Sequence, residues 1–224
     1  MKNSIFLIFL YAIQANAQII NIAGPVGSSQ YGENVIVLTN GNYVVSDPFY
    51  DEGPISDVGA VHLYNGITHT LISTLKGSSS NDQIGGGPFV DPIVALSNGN
   101  VLVRSQYWDN GPATDAGAVT WVNGTTGLSG VVSSSNSLVG GSTNDQVGRI
   151  TLLDNGNYLV VSPDWDNGPA TDAGAVTWCN GNTGLSGNIS SINSMVGSTA
   201  NDHIGGIKML SNGNYLIISP DWTN

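Results

Sequence analysis

Short apolar runs alternate along this chain with turns rich in glycine and asparagine. In one stretch the runs are residues 158–162, 175–179, 189–195 and 204–210, and Asn-Gly steps lie between several of them. Runs of this length that are bounded by Asn-Gly are typical of β-strands joined by hairpin turns. No window of useful length shows the 3.6-residue spacing of an amphipathic helix. The pattern therefore predicts an all-β protein.

The tripeptide Asn-Gly-Asn recurs along the chain at a nearly constant spacing. Asn-Gly-Asn begins at residues 40, 98, 155 and 212, at intervals of 58, 57 and 57 residues. The segment 108–121 recurs letter for letter at 165–178, and a weaker copy lies at 50–63. Self-similarity of this kind indicates a repeat architecture. Four short strands in a unit of about 57 residues predict a β-propeller blade, whose faces are buried by stacking on neighbouring blades.

We predict one β-propeller-like repeat domain over residues 18–224. Its units lie at approximately 38–97, 98–154 and 155–211, with partial units at 18–37 and 212–224. These units amount to about three and a half blades, an incomplete propeller, whereas closed propellers usually have four to eight. Three interpretations stay open: a fragment of a longer chain, a four-blade ring, or an open array. We favour the fragment, because an open end exposes unpaired strand edges.

The first seventeen residues have the three parts of a secretory signal peptide. Lys2 precedes an apolar run at residues 5–13, and residues 15–17 read Ala-Asn-Ala, a small-x-small cleavage site. The apolar run is shorter than the roughly twenty residues that span a bilayer. We therefore expect cleavage after residue 17, a secreted or cell-surface location, and no membrane-spanning segment in the mature chain.

Composition narrows the partners that this chain could have. Lys and Arg number 5 against 16 Asp and Glu, so the formal net charge is −11, and charged residues are only 9 % of the chain. So few basic residues exclude nucleic acid as a partner. The single cysteine excludes an internal disulfide framework. No Gly-x-Ser-x-Gly, Walker or dinucleotide motif occurs, so we predict no catalytic residue and no required cofactor.

Several short motifs match those of a known repeat. Residues 174–178 read Gly-Ala-Val-Thr-Trp, Ser162-Pro163 follows an apolar run, and Val147-Gly148 precedes it. In these respects each unit resembles the FG-GAP repeat of integrin-α-type β-propellers, over about residues 31–222. The resemblance implies a propeller blade. The phrasing is closer still to tandem repeats of uncharacterised function in large bacterial surface proteins, which implies a role at the cell surface.

Carboxylates recur six residues apart in one loop of each unit. The pairs are Asp51 with Asp57, Asp109 with Asp115, and Asp166 with Asp172. Carboxylates in a glycine-containing loop suit calcium, which takes six to eight oxygen ligands. Asp side chains also bond their own backbone and stabilise loops. Calcium is therefore a candidate ligand at these pairs, and loop stabilisation is the alternative.

One aromatic residue in each unit begins this loop, and the four positions are Tyr50, Trp108, Trp165 and Trp222. A tryptophan on an exposed loop can stack on a sugar or anchor a protein partner. The three tryptophans are therefore candidate ligand-binding residues, with packing between blades as the alternative. Trp121 and Trp178 lie within a predicted strand, where we expect packing. Cys179 aligns with Val122, so we predict a buried core position for its thiol.

These observations predict an exported, non-catalytic repeat protein that acts as an adhesion or recognition module. Its partners would be an extracellular protein or glycan and further repeats of the same chain. Equivalent loops on successive blades would add weak contacts through effective concentration. Two alternatives stay open: a secreted carbohydrate-active hydrolase on a propeller scaffold, or a purely structural spacer.

Overall fold

The computed structural model describes residues 19–87 and 91–222, and the predicted signal peptide lies outside these residues. The described residues form only β-strands, turns and irregular segments. In chain order the strands are β1 (Val35–Val37), β2 (Tyr43–Asp47), β3 (Ala60–Tyr64), β4 (Leu71–Lys76), β5 (Ile93–Ala95), β6 (Val101–Ser105), β7 (Ala118–Val122), β8 (Gly130–Val131), β9 (Ser137–Val139), β10 (Arg149–Leu152), β11 (Tyr158–Ser162), β12 (Ala175–Cys179), β13 (Gly187–Asn188), β14 (Ser194–Val196), β15 (Gly206–Met209) and β16 (Tyr215–Ile218).

Most of these strands belong to three blade-like sheets of the same design. The first is β1-β2-β3-β4, the second is β5-β6-β7-β9 and the third is β10-β11-β12-β14, and neighbouring strands in each are antiparallel. A hairpin of β15 and β16 follows. The predicted all-β fold of tandem four-stranded units is confirmed. None of the described segments is a helix long and apolar enough to cross a membrane.

The first and second sheets are each extended by a short strand from the unit that follows. β8 runs parallel to β4, and β13 runs parallel to β9. These two-residue strands cover outer edges that would otherwise present unpaired backbone groups. The first strand of each sheet lies before an Asn-Gly-Asn turn. The sheets therefore begin a few residues upstream of the repeat units that were defined from the sequence.

The hydrophobic core lies between the sheets. Side chains alternate across a strand, so Val61 and Leu63 of β3 join the cluster shared with the second sheet, while His62 and Tyr64 lie on the opposite face. A second cluster joins the second and third sheets, and a third cluster joins the third sheet to the final hairpin. We call the first two interfaces the first seam and the second seam. Each unit buries its faces only against its neighbours, as in other repeat proteins.

One predicted strand is wrong in its extent. The runs at 158–162 and 175–179 are β11 and β12, as predicted, but the run at 189–195 contributes only Ser194 and Met195 to β14. Asn193 folds the preceding residues into a turn, because its Oδ1 accepts the Ser190 N–H at 2.9 Å and its Nδ2 donates to the Asn188 carbonyl at 3.0 Å. Such side-chain bonds compete with a strand ladder.

Candidate binding groove between the second and third units

The predicted carboxylate pairs hold their own loops. In each pair the first carboxylate accepts the backbone N–H of the second residue at 2.9 Å. The second residue has a left-handed backbone, with φ of 54° at Asp57, 51° at Asp115 and 53° at Asp172. Asp tolerates that conformation better than most residues. The observed chemistry of Asp51, Asp109 and Asp166 is therefore loop closure.

The described residues contain no group of three or more His, Cys, Asp or Glu side chains that could hold a metal ion. The carboxylate pairs thus supply two acidic residues each, and any further oxygen ligands would have to be backbone carbonyls or water. Calcium binding at these pairs stays a prediction.

A second set of carboxylates joins consecutive units, and it lies in Asn-Asp steps that recur at residues 81–82, 144–145 and 201–202. Asp82 Oδ2 accepts the N–H groups of Ser78 and Ser79, both at 2.8 Å, and its Oδ1 accepts the N–H of Asp109 in the next unit at 3.0 Å. Asp145 repeats this arrangement with Asp166. Neither residue was predicted to have a role, although the recurrence of Asn-Asp in every unit is a signal that could have pointed to them.

Both carboxylates are shielded from solvent. Burial raises the pKa of Asp82 and of Asp145, and the bonded N–H groups act in the opposite direction. A buried carboxylate is tolerated when several donors satisfy it. Each therefore works as a clamp that fixes the aromatic loop of the following unit.

The predicted ligand-binding tryptophans have different surroundings. Trp108 is buried in the first seam and Trp165 in the second, so neither indole offers an open face. Trp222 is 42 % exposed. A ligand-binding role for the three residues stays a prediction, and the contacts observed for Trp108 and Trp165 are core packing.

The two strand tryptophans also differ. Trp121 packs against the third unit, and its Nε1 donates to the Gly181 carbonyl at 3.0 Å. Trp178 is 47 % exposed. The predicted packing role describes Trp121 but not Trp178 in the described structure. Cys179 is buried as predicted, and burial raises the pKa of its thiol to about 12 while the bond from Tyr158 opposes that shift.

A groove of about 410 Å³ opens beside Trp121, on the outer side of the second seam. The described residues that line it carry no charge and are Trp121, Asn123, Gly127, Leu128, Ser135, Asn136, Thr183, Gly184, Leu185 and Ser186. We call this the Trp121 groove. The lining combines an indole and two leucines with five uncharged polar side chains, and the volume falls within the usual range for small-ligand sites.

The third unit brings a glycine against the indole. Gly184 has φ of 67°, and a Cβ at this position would collide with the Trp121 side chain. Only glycine combines that backbone conformation with so close an approach. Gly184 therefore packs on part of the indole, while Trp121 still contributes to the groove wall.

The groove exists because the outer strand of the second sheet is short. β9 has three residues, whereas its counterpart β4 has six. Asn136 turns the chain just before β9, since its Oδ1 accepts the Ser133 N–H and its Nδ2 donates to the Val131 carbonyl, both at 2.9 Å. The missing half of the strand leaves open space beside the indole.

A protein-family model matches this sequence over most of its length. A family model with the description "Repeat of unknown function" (DUF5650) matches residues 37–86, 95–149, 152–206 and 209–224. The chain belongs to this family. The matching model is not the FG-GAP repeat, so the FG-GAP resemblance stays a prediction.

No curated protein matches the DUF5650 chain. Among solved structures, the virginiamycin B lyase of Staphylococcus aureus matches at 10 % identity with a TM-score of 0.39. The match covers 83 % of this chain and 47 % of the lyase, so the chain spans about half of that protein's length. A likeness this distant carries no argument about function, and the fold assignment rests on the sheets themselves.

Proposed function

We propose that this DUF5650 chain is an exported, non-catalytic recognition module that binds neutral glycan chains in the Trp121 groove. The observation that carries the proposal is the groove itself, an opening of about 410 Å³ with an indole on its wall and uncharged polar side chains around it. The apolar face of a sugar ring stacks well on an indole, and the remaining hydroxyls need nearby donors and acceptors.

The polar groups of the groove can meet that need. The Asn123 Oδ1 atom is used by the N–H groups of Thr125 and Thr126, which leaves its amide nitrogen as a donor. The Thr183 hydroxyl donates to the Gly184 carbonyl and keeps its lone pairs as acceptors. Amide donors and hydroxyl acceptors beside an aromatic face suit a sugar with unmodified hydroxyl groups.

Charge favours a neutral glycan over an ionic one. The chain has a formal net charge of −11, so an acidic polysaccharide would be repelled from most of its surface. The described lining of the groove offers a cationic ligand no carboxylate. A neutral sugar is not repelled by the negative charge of the chain, and it does not need a carboxylate in the groove to bind.

Export and display at the surface are proposed from the leader-like residues 1–17. Repetition adds to the argument, because the third unit carries the same strand tryptophan, Trp178, with its indole exposed. A further unit placed on it would build a second groove of the same kind. Grooves in series on one polymer would then bind a glycan through effective concentration.

The proposal is tested by measuring the binding of neutral oligosaccharides to the full chain and to two matched variants. Trp121→Leu places in the second unit the residue that the first unit has at this position, Leu63. We expect this variant to lose at least tenfold in affinity, because stacking is lost while the fold is kept. Trp178→Leu is the control, and we expect wild-type affinity.

Two results would contradict the proposal. One is equal glycan affinity in the wild type and the Trp121→Leu variant. The other is the release of new reducing ends from a glycan by the wild type, because turnover would favour the hydrolase alternative. Binding measured by calorimetry and reducing-end release measured on the same sample separate these outcomes.

A further inference from the structure

Two arginines line one pocket at the first strand of the third sheet. Arg104 lies in β6 of the second sheet, and Arg149 is the first residue of β10 in the third sheet. The pocket has a volume of about 400 Å³, and its described lining also includes Thr151, Gly205 and apolar side chains of the third sheet and the final hairpin. We call this the arginine pocket. Its described lining carries two positive charges and no carboxylate, whereas the whole chain has a formal net charge of −11.

The arginine pair is specific to the interface between the second and third units. Arg104 follows the first Asn of one Asn-Gly-Asn by six residues, and Arg149 precedes the first Asn of the next by six. Ser46 and Pro92 hold these two positions between the first and second units. Val161 and Gly206 hold them between the third unit and the final hairpin. Two of the five basic residues of the chain therefore lie together at an interface whose counterparts are uncharged.

Arg104 is held by its strand and by a backbone bond. It lies on the same face of β6 as Leu102, which belongs to the core of the second seam, and it is 8 % exposed. Its Nη1 donates to the Asp91 carbonyl at 3.3 Å. Burial lowers the pKa of Arg104 to about 10, Asp91 acts in the opposite direction, and Arg149 lowers the pKa further. The guanidinium therefore stays protonated at neutral pH.

Arg149 supplies a second guanidinium, which is open to solvent. It forms no ion pair with a described residue. Two like charges at one site repel each other unless an opposite charge compensates them. β10 has a strand partner on one side only among the described residues, so backbone N–H groups on its other edge can also donate to an anion. The pocket thus combines uncompensated positive charge with hydrogen-bond donors.

We propose that the arginine pocket binds a phosphate group, either as inorganic phosphate or as a phosphate monoester. A phosphate monoester carries nearly two negative charges at neutral pH, which matches the two guanidinium groups. Its oxygens accept paired N–H bonds from the planar fork of an arginine, and the Thr151 hydroxyl can donate a further bond. A single carboxylate would compensate only one of the two charges. The pocket shares no described lining residue with the Trp121 groove, so the proposal is independent of glycan binding there.

The test measures phosphate binding to the full chain by calorimetry and thermal melting, at constant ionic strength and about pH 8, where a phosphate monoester is a dianion. The probes are inorganic phosphate and glucose 6-phosphate, with chloride as the reference salt. We expect both probes to raise the melting temperature above its value in chloride, because a ligand that binds only the folded state stabilises it. Tighter binding of glucose 6-phosphate identifies a phosphorylated sugar as the ligand, and equal or weaker binding identifies the free ion.

Arg149→Asn is the decisive variant, because it places in the third unit the residue that the first unit has at this position, Asn34. We expect it to lose about tenfold or more in phosphate affinity, since a charge-assisted fork is removed. Without phosphate we expect it to melt no lower than the wild type, because the substitution removes a repulsion. Arg149→Lys keeps the charge and loses the fork, so its affinity should be intermediate.

Lys208→Asn is the matched control for the loss of one positive charge. Lys208 is exposed in β15 and lies outside the described lining of the pocket. We expect this variant to bind phosphate like the wild type. Circular dichroism identifies any variant that fails to fold, and Arg149→Gln then replaces an Arg149→Asn variant that does.

Three results would overturn the proposal. The first is a melting temperature that responds to phosphate no more than to chloride. The second is wild-type phosphate affinity in Arg149→Asn, and the third is an equal loss of affinity in Lys208→Asn, which would mean general attraction to positive charge. The Trp121→Leu variant should keep phosphate binding and Arg149→Asn should keep glycan binding, so failure of either proposal is distinguished from failure of the other.

Discussion

The two seams of this molecule are alike on the side of the aspartate clamps, and they differ on the outer side, where Ser73 lies in the first seam and Trp121 in the second. Both are clamped by a buried aspartate, Asp82 in the first and Asp145 in the second, that holds the aromatic loop of the next unit. On the outer side, the first seam is closed. Leu128 N–H donates to the Ser73 Oγ at 3.2 Å, and a Cβ on Gly127 would collide with the same serine.

The second seam is open at the corresponding place. Asn136 stands two residues before Leu138, where the first unit has Ser73 two residues before Leu75, and its turn ends the strand early. A tryptophan replaces Leu63, and the groove lies beside it. The repeat therefore keeps the same clamp in both seams and varies its surface chemistry at the outer edge.

The largest loss of stability is expected from removing the clamps, and it tests whether Asp82 and Asp145 stabilise the two seams equally. Asp82→Ala and Asp145→Ala each leave three backbone N–H groups without their carboxylate, which we expect to cost about 3 kcal/mol of unfolding free energy. Urea unfolding measures both. Asp154→Ala, in an exposed turn, is the control and should change stability by less than about 0.5 kcal/mol. A cost at only one seam would break the comparison.

The next effect comes from exchanging the outer residues of the seams. Leu63→Trp forces an indole into the first seam, where the cavity beside Leu63 holds only about 10 Å³, and we expect it to destabilise the protein by about 1–3 kcal/mol. Trp121→Leu removes an indole from the edge of an open groove together with its bond to the Gly181 carbonyl, and should cost about 0.5–1.5 kcal/mol, the net contribution of one hydrogen bond. Equal costs, measured by urea unfolding of both variants, would mean that the two seams are packed alike.

A smaller effect is expected in the pH dependence of stability, because the first unit has a buried histidine where the other two units have a threonine. His62 bonds Thr74 across the strands at 3.0 Å, where the later units have the hydroxyl pairs Thr120 with Ser137 and Thr177 with Ser194. Burial lowers the pKa of His62, and the nearby Asp47 carboxylate acts in the opposite direction.

The unfolded chain therefore binds a proton more readily than the folded one, so stability is present at neutral pH and falls as pH drops below about 6.5. We expect His62→Thr to weaken this fall in melting temperature. His203→Gln, which restores the residue found in the other units, is the matched control for removing a histidine. A His62→Thr variant with the wild-type pH profile would contradict the assignment.

The smallest expected effect concerns calcium. The carboxylate pairs of all three units close their loops in the same way, so neither seam has an advantage in binding a cation. If calcium binds these pairs, millimolar calcium raises the melting temperature slightly, and the rise is reduced in the Asp166→Asn variant. A melting temperature that calcium leaves unchanged would contradict the calcium prediction and leave loop closure as the role of the pairs.

Local sequence was sufficient for the repeat period, the all-β class, the position of β11 and β12 and the burial of Cys179, because strands and tight turns depend on neighbours in the chain. The extent of β14 was wrong, since the Asn193 turn competes with the strand. The clamp role of Asp82 was missed, because its partner Asp109 lies 27 residues away.

Two segments of identical sequence show most directly that burial cannot be predicted from local sequence; they are residues 108–121 and 165–178. Their shared sequence is enough to give both segments the same loop and the same strand. The different fates of their tryptophans come from packing: Trp121 contacts Gly181 of the next unit and lines a groove, while Trp178 is exposed. Burial depends on what packs against a side chain, and here that is a neighbouring unit rather than a neighbouring residue.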